Sequence, residues 1–201
     1  MESELSRWSR IFSGSSFFYG REPGSVARRA VKYARSLLPS GGKALDAGCG
    51  EGQDLLFLAQ SGYDALGLDF TQSGADKARR LMSEEGARAR VEVADLVAWN
   101  TSERFDLVLA INSLQFLGDE APRVLAKLQG LVAPGGVLGF SAFAREEMAD
   151  LPQEADGVYR FHLDELLLNF SSWQPFEAAR LWQWGQNGAQ PFVTLVAGKL
   201  E

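Results

Sequence analysis

Residues 44–54, ALDAGCGEGQD, constrain this chain more than any other stretch. A short apolar run enters Gly48-Cys49-Gly50-Glu51-Gly52, and a helical pattern leaves it. Glycines let the backbone turn sharply and approach a ligand with no side chain in the way. Strand, glycine loop and helix in that order form one half of a parallel α/β unit. Ligands of such sheets bind in the crevice outside the carboxyl ends of the strands.

The rest of the chain repeats the alternation. Apolar runs predict strands over 43–46, 65–69, 91–94, 105–111 and 137–143. Helices are expected over 25–38 and 54–60, then one with Ala75, Ala78, Leu81 and Met82 on a single face, ending at Gly86. A further helix carries Val124, Leu125, Leu128 and Leu131, with Asp119 as its expected cap. Ala133-Pro134-Gly135-Gly136 reads as the turn into the fifth strand, and Pro39-Ser40-Gly41-Gly42 as the stop of the first helix. The run 105–111, FDLVLAI, is apolar nearly throughout, as in a strand buried on both faces in the middle of a parallel sheet. These spacings give right-handed βαβ units with helices on both sheet faces. The tail differs: a short helix at 164–169, then strand-like runs at 176–184 and 191–200. The link Gly185-Gln186-Asn187-Gly188 makes them an antiparallel hairpin at the sheet edge.

Two segments emerge. Residues 1–42 hold an aromatic, loop-like stretch to residue 24 and then a helix. Residues 43–201 hold the alternating α/β domain. The first stretch carries Trp8, Phe12, Phe17, Phe18 and Tyr19, with hinges at Gly14, Gly20 and Gly24. It reads as a lid over the ligand crevice, and equally as cover for an open side of the core.

Composition removes several classes. One cysteine and one histidine in 201 residues cannot make an intramolecular disulfide or a Cys/His zinc site. No metal is expected. No window approaches 18 uninterrupted apolar residues, and the polar start lacks a signal-peptide core, so the chain is expected in the cytoplasm and off the membrane. The net charge is −6, and the acidic body past residue 42 argues against nucleic acid.

Several residues can carry chemistry. The loop spacing is G-x-G-x-G rather than the G-x-G-x-x-G of dinucleotide folds. Asp46 stands just before it, where an acid suits a cationic amino group better than a pyrophosphate; a turn carboxylate is the alternative. Asp69 ends the second strand about 20 positions past the loop, where an acid can accept both ribose hydroxyls. It can also cap the next helix, as Thr71 or Ser73 can. Asp95, followed by Leu96, can meet an adenine amine or serve as a loop carboxylate. Phe70 can lie against a purine or pack in the core, and Asn112 ends the central strand. Arg21 can meet an anionic group of a ligand. Tyr19, Glu22 and Asn112 can orient an acceptor. His162 lies far in sequence from the crevice loops, and no residue stands out as a catalytic acid or base.

Asp46-x-Gly48-Cys49-Gly50-x-Gly52, Asp69, Asp95-Leu96, FDLVLAINSLQFL and LVAPGGVL together resemble the ordered motifs of class I S-adenosylmethionine-dependent methyltransferases. The flanks FFYGREPG and PFVTLVAGK look like the small-molecule branch that includes tellurite-resistance methyltransferases, although Gln53 stands where that branch often has arginine. The resemblance implies a seven-stranded, mostly parallel Rossmann-like sheet with its last strand antiparallel, matching five parallel-type runs plus two. It implies S-adenosylmethionine as cofactor, a small-molecule methyl acceptor as partner, and a monomer or homodimer. Gly48, Cys49, Gly50 and Gly52 would hold the methionine part, with Cys49 a small filler. Asp46 would lie near the ammonium, Asp69 at the ribose, and Asp95 with Leu96 at the adenine. Two other classes compete: an NAD-dependent oxidoreductase, disfavoured by the loop spacing and the acid before it, and a non-catalytic binder of the same cofactor.

Overall fold

A computed structural model describes residues 2–39, 41–145, 157–185 and 188–200. The elements in chain order are helix α1 (Glu4–Phe12), α2 (Ser25–Leu37), strand β1 (Lys43–Ala47), α3 (Gln53–Gln60), β2 (Asp64–Asp69), α4 (Gln72–Glu84), β3 (Arg90–Val93) and β4 (Phe105–Ile111). A 3-10 stretch (Leu114–Glu120), α5 (Ala121–Leu131), β5 (Val132–Phe143), α6 (Leu163–Asn169), β6 (Trp173–Gly185) and β7 (Gly188–Lys199) follow. The strands form one seven-stranded sheet, ordered β3-β2-β1-β4-β5-β7-β6. Pairing is parallel from β3 to β5, and β7 is antiparallel to both of its neighbours. The expected architecture is present, with the apolar run 105–111 as the central strand.

Alternation along β1 explains the layers. Ala44 joins an apolar cluster with Ala30 of α2, Leu55 of α3 and Leu81 of α4. Leu45, one residue on, joins the opposite cluster with Leu128 of α5 and Leu166 of α6. Successive strand residues face opposite sides, so one strand feeds two cores and helices cover both faces.

Three local expectations change. The first 24 residues are not all loop: Ser3 accepts the Ser6 N–H at 3.2 Å and caps α1. Glu4, Trp8 and Phe12 stand four apart on one face; Trp8 Nε1 donates to Glu4 at 2.9 Å, and the two rings lie 5.3 Å apart. Asp119 caps no helix. Gly118 bends the chain at φ 53°, and Glu120 enters α5 already helical, leaving no extended cap residue. The expected turn at 133–136 lies inside β5 as an irregularity: Phe105 pairs with Val132, but Leu107 pairs with Val137. The hairpin pairs Gly185 with Gly188, while Gln186 and Asn187, like Ser40 of the earlier expected stop, lie outside the described residues.

Candidate cofactor and acceptor crevice

A crevice of about 900 Å³, counted to its open mouth, lies at the carboxyl ends of β1, β2, β3 and β4. Asp46, Gly48, Cys49, Gly50, Asp69, Phe70, Asp95, Leu96 and Asn112 all line it. These four separate loops meet because parallel strands all deliver their carboxyl ends to one edge. Gly52 is the exception among the expected residues. It stands at the start of α3 with φ 93°, and a β-carbon there would lie 2.8 Å from Ala78 Cβ. Its glycine serves close packing of α3 on α4.

The loop is fixed by β2. Gly48 and Cys49 both donate their N–H to the Leu68 carbonyl at 2.8 Å. Gly48 has φ 86°, and a β-carbon there would lie 2.3 Å from Ser113 Cβ, so glycine is required on both counts. Asp69 Oδ2 accepts the Gly50 N–H at 3.0 Å. Its Oδ1 accepts the Thr71 N–H at 2.9 Å and the Thr71 hydroxyl at 2.6 Å. Thr71, not Asp69, caps α4. An ionised carboxylate offers about four acceptor positions. Asp69 therefore anchors the loop and keeps roughly one position for a ligand.

Asp46 is different. Its Oδ2 is buried with no hydrogen-bond partner among the described residues, and so is Gln53 Oε1. Burial pushes the Asp46 carboxyl well above the usual range, and the nearby Asp54 and Asp69 push it further. Burial also raises Asp54, whose Oδ1 accepts the Gly24 N–H at 2.7 Å. A cationic group beside Asp46 would relieve both its missing partner and its repulsion. Cys49 is buried against Gly67, and burial with Asp46 and Asp69 nearby drives its thiol upward. That suits a filler and opposes a reactive thiolate.

Of the remaining expected residues, Phe70, Asp95, Leu96 and Asn112 line the pocket, whereas Arg21, Glu22 and His162 do not. Phe70 is 36% exposed on the crevice wall rather than packed in the core. Asp95 accepts the Val97 N–H at 2.8 Å, and Leu96 is buried beside it. Asn112 holds φ 53°, a left-handed conformation asparagine tolerates, with its Oδ1 accepting from the Ser141 hydroxyl at 3.0 Å. Arg21 does not turn inward: it pairs with Glu84 at 2.5 Å and Glu85 at 3.3 Å on α4. His162 precedes α6 and is not among the crevice-lining residues.

The lid reading of residues 1–24 named Trp8, Phe12 and Tyr19, but Phe116 and Leu117 were not expected at the crevice. Trp8, Phe12 and Tyr19 line the crevice from the N-terminal segment, and Phe116 with Leu117 from the 3-10 stretch. Trp8 stacks over Tyr19 at 6.2 Å and meets the edge of Phe116 at 5.0 Å. Tyr19 is 48% exposed at the crevice mouth, and desolvation with the nearby Glu51 carboxylate pushes its phenol up to about 12. Four-residue spacing of Glu4, Trp8 and Phe12 was the available signal. Among the described residues no cluster fit for a metal ion occurs. No helix among them is long and apolar enough to cross a membrane.

Fold and site together define an α/β protein with a crevice at its glycine loop and a buried, unpartnered acid, Asp46, beside that loop. Residues 44–136 match the family described as a methyltransferase domain. The matched stretch, a little under half of the chain, holds the glycine loop, Asp69 and Asp95. The chain is similar to Hemagglutinin 1 of Eikenella corrodens, 28% identical over 193 residues that cover 91% of this chain and 63% of that protein. Its fold is similar to that of TehB from Haemophilus influenzae, with TM-score 0.75 and 21% identity over 97% of this chain and 66% of the other. It is also similar to NodS of Bradyrhizobium japonicum, an N-methyltransferase solved with S-adenosyl-L-homocysteine, with TM-score 0.74 and 19% identity over the whole of both chains. This chain thus spans a little under two thirds of the first two.

Proposed function

We propose that this protein transfers a methyl group from S-adenosylmethionine to a small-molecule acceptor. The observation that carries the reading is the buried, unpartnered Asp46 Oδ2 beside a glycine loop in the same crevice. S-adenosylmethionine, when bound, supplies a methyl carbon made electrophilic by its sulfonium. Asp46 and Gln53 receive the ammonium end, the backbone at Gly48, Cys49 and Gly50 holds the methionine part, Asp69 takes a ribose hydroxyl, and Asp95 with Leu96 and Phe70 take the adenine.

The acceptor side is aromatic. Trp8, Tyr19 and Phe116 offer apolar faces, with Asn112 and Ser113 as the polar groups at the end of β4. A small acceptor with a flat apolar body suits that wall. Among the described residues no histidine or lysine lines the crevice, and the Tyr19 phenol stays protonated at neutral pH. In this reading the acceptor atom arrives with a free lone pair, and the chain's contribution is to orient it and exclude water. Orientation alone can lower a barrier by roughly 7–11 kcal/mol. Residues 1–24 act as the lid, residues 43–201 as the transferase domain, in the cytoplasm, as a monomer or homodimer.

Thermal melting with S-adenosylhomocysteine against NAD tests the cofactor. A ligand at about 100 times its dissociation constant adds roughly 2.7 kcal/mol of stability. Stabilisation by NAD alone would overturn the reading. A screen for S-adenosylhomocysteine release across small amines, thiols and hydroxy acids then separates an enzyme from a non-catalytic binder.

A further inference from the structure

Methyl transfer makes no direct use of the ion pair buried behind the crevice. Glu51 lies inside the glycine loop with its side chain fully buried, and Lys77 lies on α4 with its side chain 4% exposed. Lys77 Nζ and Glu51 Oε1 are 2.5 Å apart. Neither lines the crevice. Both turn their remaining hydrogen-bonding capacity to one short piece of backbone. Lys77 Nζ donates to the Ser16 carbonyl at 2.6 Å, and Glu51 Oε2 accepts the Tyr19 N–H at 3.2 Å. The same ammonium stands 5.4 Å from the Phe17 ring centroid. Residues 16–19 are thus fastened to a carboxylate that belongs to the glycine loop.

Apolar residues of similar volume often replace a buried ion pair at no loss of stability. What such a pair adds is a fixed register between the parts it joins. Here the parts are the loop and the segment that ends in Tyr19. Gly50 and Gly52 flank Glu51 at positive φ, so the path of the loop backbone decides where the Glu51 carboxylate stands. Tyr19 is the one member of residues 16–19 that lines the crevice, and its ring stacks on Trp8.

We propose that Glu51 and Lys77 are positioning residues that couple occupancy of the glycine loop to the placement of Tyr19 on the acceptor wall. The inference rests on the crevice being the S-adenosylmethionine site. A ligand seated on the loop backbone steadies Glu51, Glu51 steadies the Tyr19 amide, and the aromatic wall forms. Cofactor binding then precedes and favours acceptor binding.

Amide hydrogen exchange reads the coupling at the Tyr19 N–H itself, with S-adenosylhomocysteine as the probe. In the wild-type chain the probe slows exchange at Tyr19 by tenfold or more. In the double variant Glu51→Met/Lys77→Met, checked for folding by circular dichroism and melting, the probe still binds, no more than tenfold weaker, but the slowing at Tyr19 disappears. Glu51→Asp is the second variant. It keeps the negative charge for Lys77 but is one methylene too short to reach Tyr19 as well, and it loses the slowing too. A purely structural pair would lower the melting temperature and leave the probe-dependent slowing in place; that result overturns the proposal. Binding of the probe to the wild-type chain with no change at Tyr19 overturns it as well. Failure of the probe to bind the wild-type chain overturns the reading of the crevice itself.

Discussion

The sheet wall of the crevice and its N-terminal wall are held by different chemistry. On the sheet side, Gly48 and Cys49 meet Leu68, and Gly50 meets Asp69, through backbone N–H groups of one loop. On the N-terminal side, Trp8 and Phe12 are buried yet belong to neither apolar cluster packed on the sheet. Trp8 ties this wall together through ring contacts with Phe12, Tyr19 and Phe116, each worth about 0.5–1.5 kcal/mol beyond its area. A Ser73 hydroxyl to the Ser9 carbonyl, the Lys77–Glu51 pair, the Arg21 pairs with Glu84 and Glu85 and the Gly24 N–H to Asp54 add to the attachment. A wall made of loop backbone keeps its shape when empty. A wall made of rings and a few side chains can open and reform.

The sharpest way to break that contrast is to remove one wall. A chain without residues 2–22 is expected to fold and bind S-adenosylhomocysteine, while turnover with any acceptor found by screening falls by more than about a hundredfold. Misplacement of reacting groups by about 1 Å already has an effect of that size. Calorimetry and circular dichroism check the first part. Aggregation of the truncated chain with no measurable cofactor binding would show that the two walls are one core.

Within the sheet wall, Asp69 already accepts three hydrogen bonds while Asp46 Oδ2 accepts none, and their substitutions should differ in kind. Asp69→Ala removes the anchor of Gly50 as well as a ligand contact. Hydrogen bonds to charged groups contribute about 1.5–3 kcal/mol each, so loss of one to the ribose weakens S-adenosylhomocysteine roughly 10- to 150-fold. The melting temperature falls too. Unchanged affinity by calorimetry would remove Asp69 from the site.

Asp46→Asn should weaken the same ligand by about tenfold, a loss of roughly 1.4 kcal/mol, and yet stabilise the empty protein at neutral pH. The sign follows from the raised carboxyl. A group that binds its proton more readily folded than unfolded adds stability below its unfolded value near 3.8, and that stability disappears as pH rises through the folded value. Asparagine carries no charge and avoids the loss. Melting curves from pH 4 to 8 should therefore fall less steeply with pH in the variant, Asp54 and Asp69 supplying the slope that remains. Wild-type affinity for the ammonium-bearing ligand should rise with pH over the same window. A variant less stable than wild type at pH 8 would show that Asp46 is already satisfied without a ligand.

These differences also mark what the sequence could reveal. Strand, loop and helix around residues 44–54 were legible because period and glycine spacing are local, and the central place of 105–111 followed from its unbroken apolar run. The second wall was harder. Lys77 stands three residues after Gly74 and four before Leu81, inside the buried stripe of α4, and a lysine there signals a buried partner. Glu51, 26 positions away, gives no local sign of being that partner. Asp46 and Asp69 look alike in sequence, because the donors that satisfy one and not the other come from the folded loop. Asp119 misled because a good capping residue matters only where the chain enters the helix extended.

The smallest effect belongs to His162, the single histidine and the first residue a search for a general base would choose. It is half-buried at the start of α6, and its carbonyl accepts the Leu166 N–H at 3.0 Å. Its neighbour Phe161 pairs with Ala144 beyond β5, on a segment that contributes nothing to either wall. An electrophilic methyl donor and an acceptor with a free lone pair need no base at this distance. His162→Ala is therefore expected to keep turnover within about tenfold, a barrier change under about 1.4 kcal/mol. The pH profile should be unchanged in shape. A thousandfold loss in a folded His162→Asn variant, with cofactor affinity intact, would mean that a third wall exists and that α6 carries it.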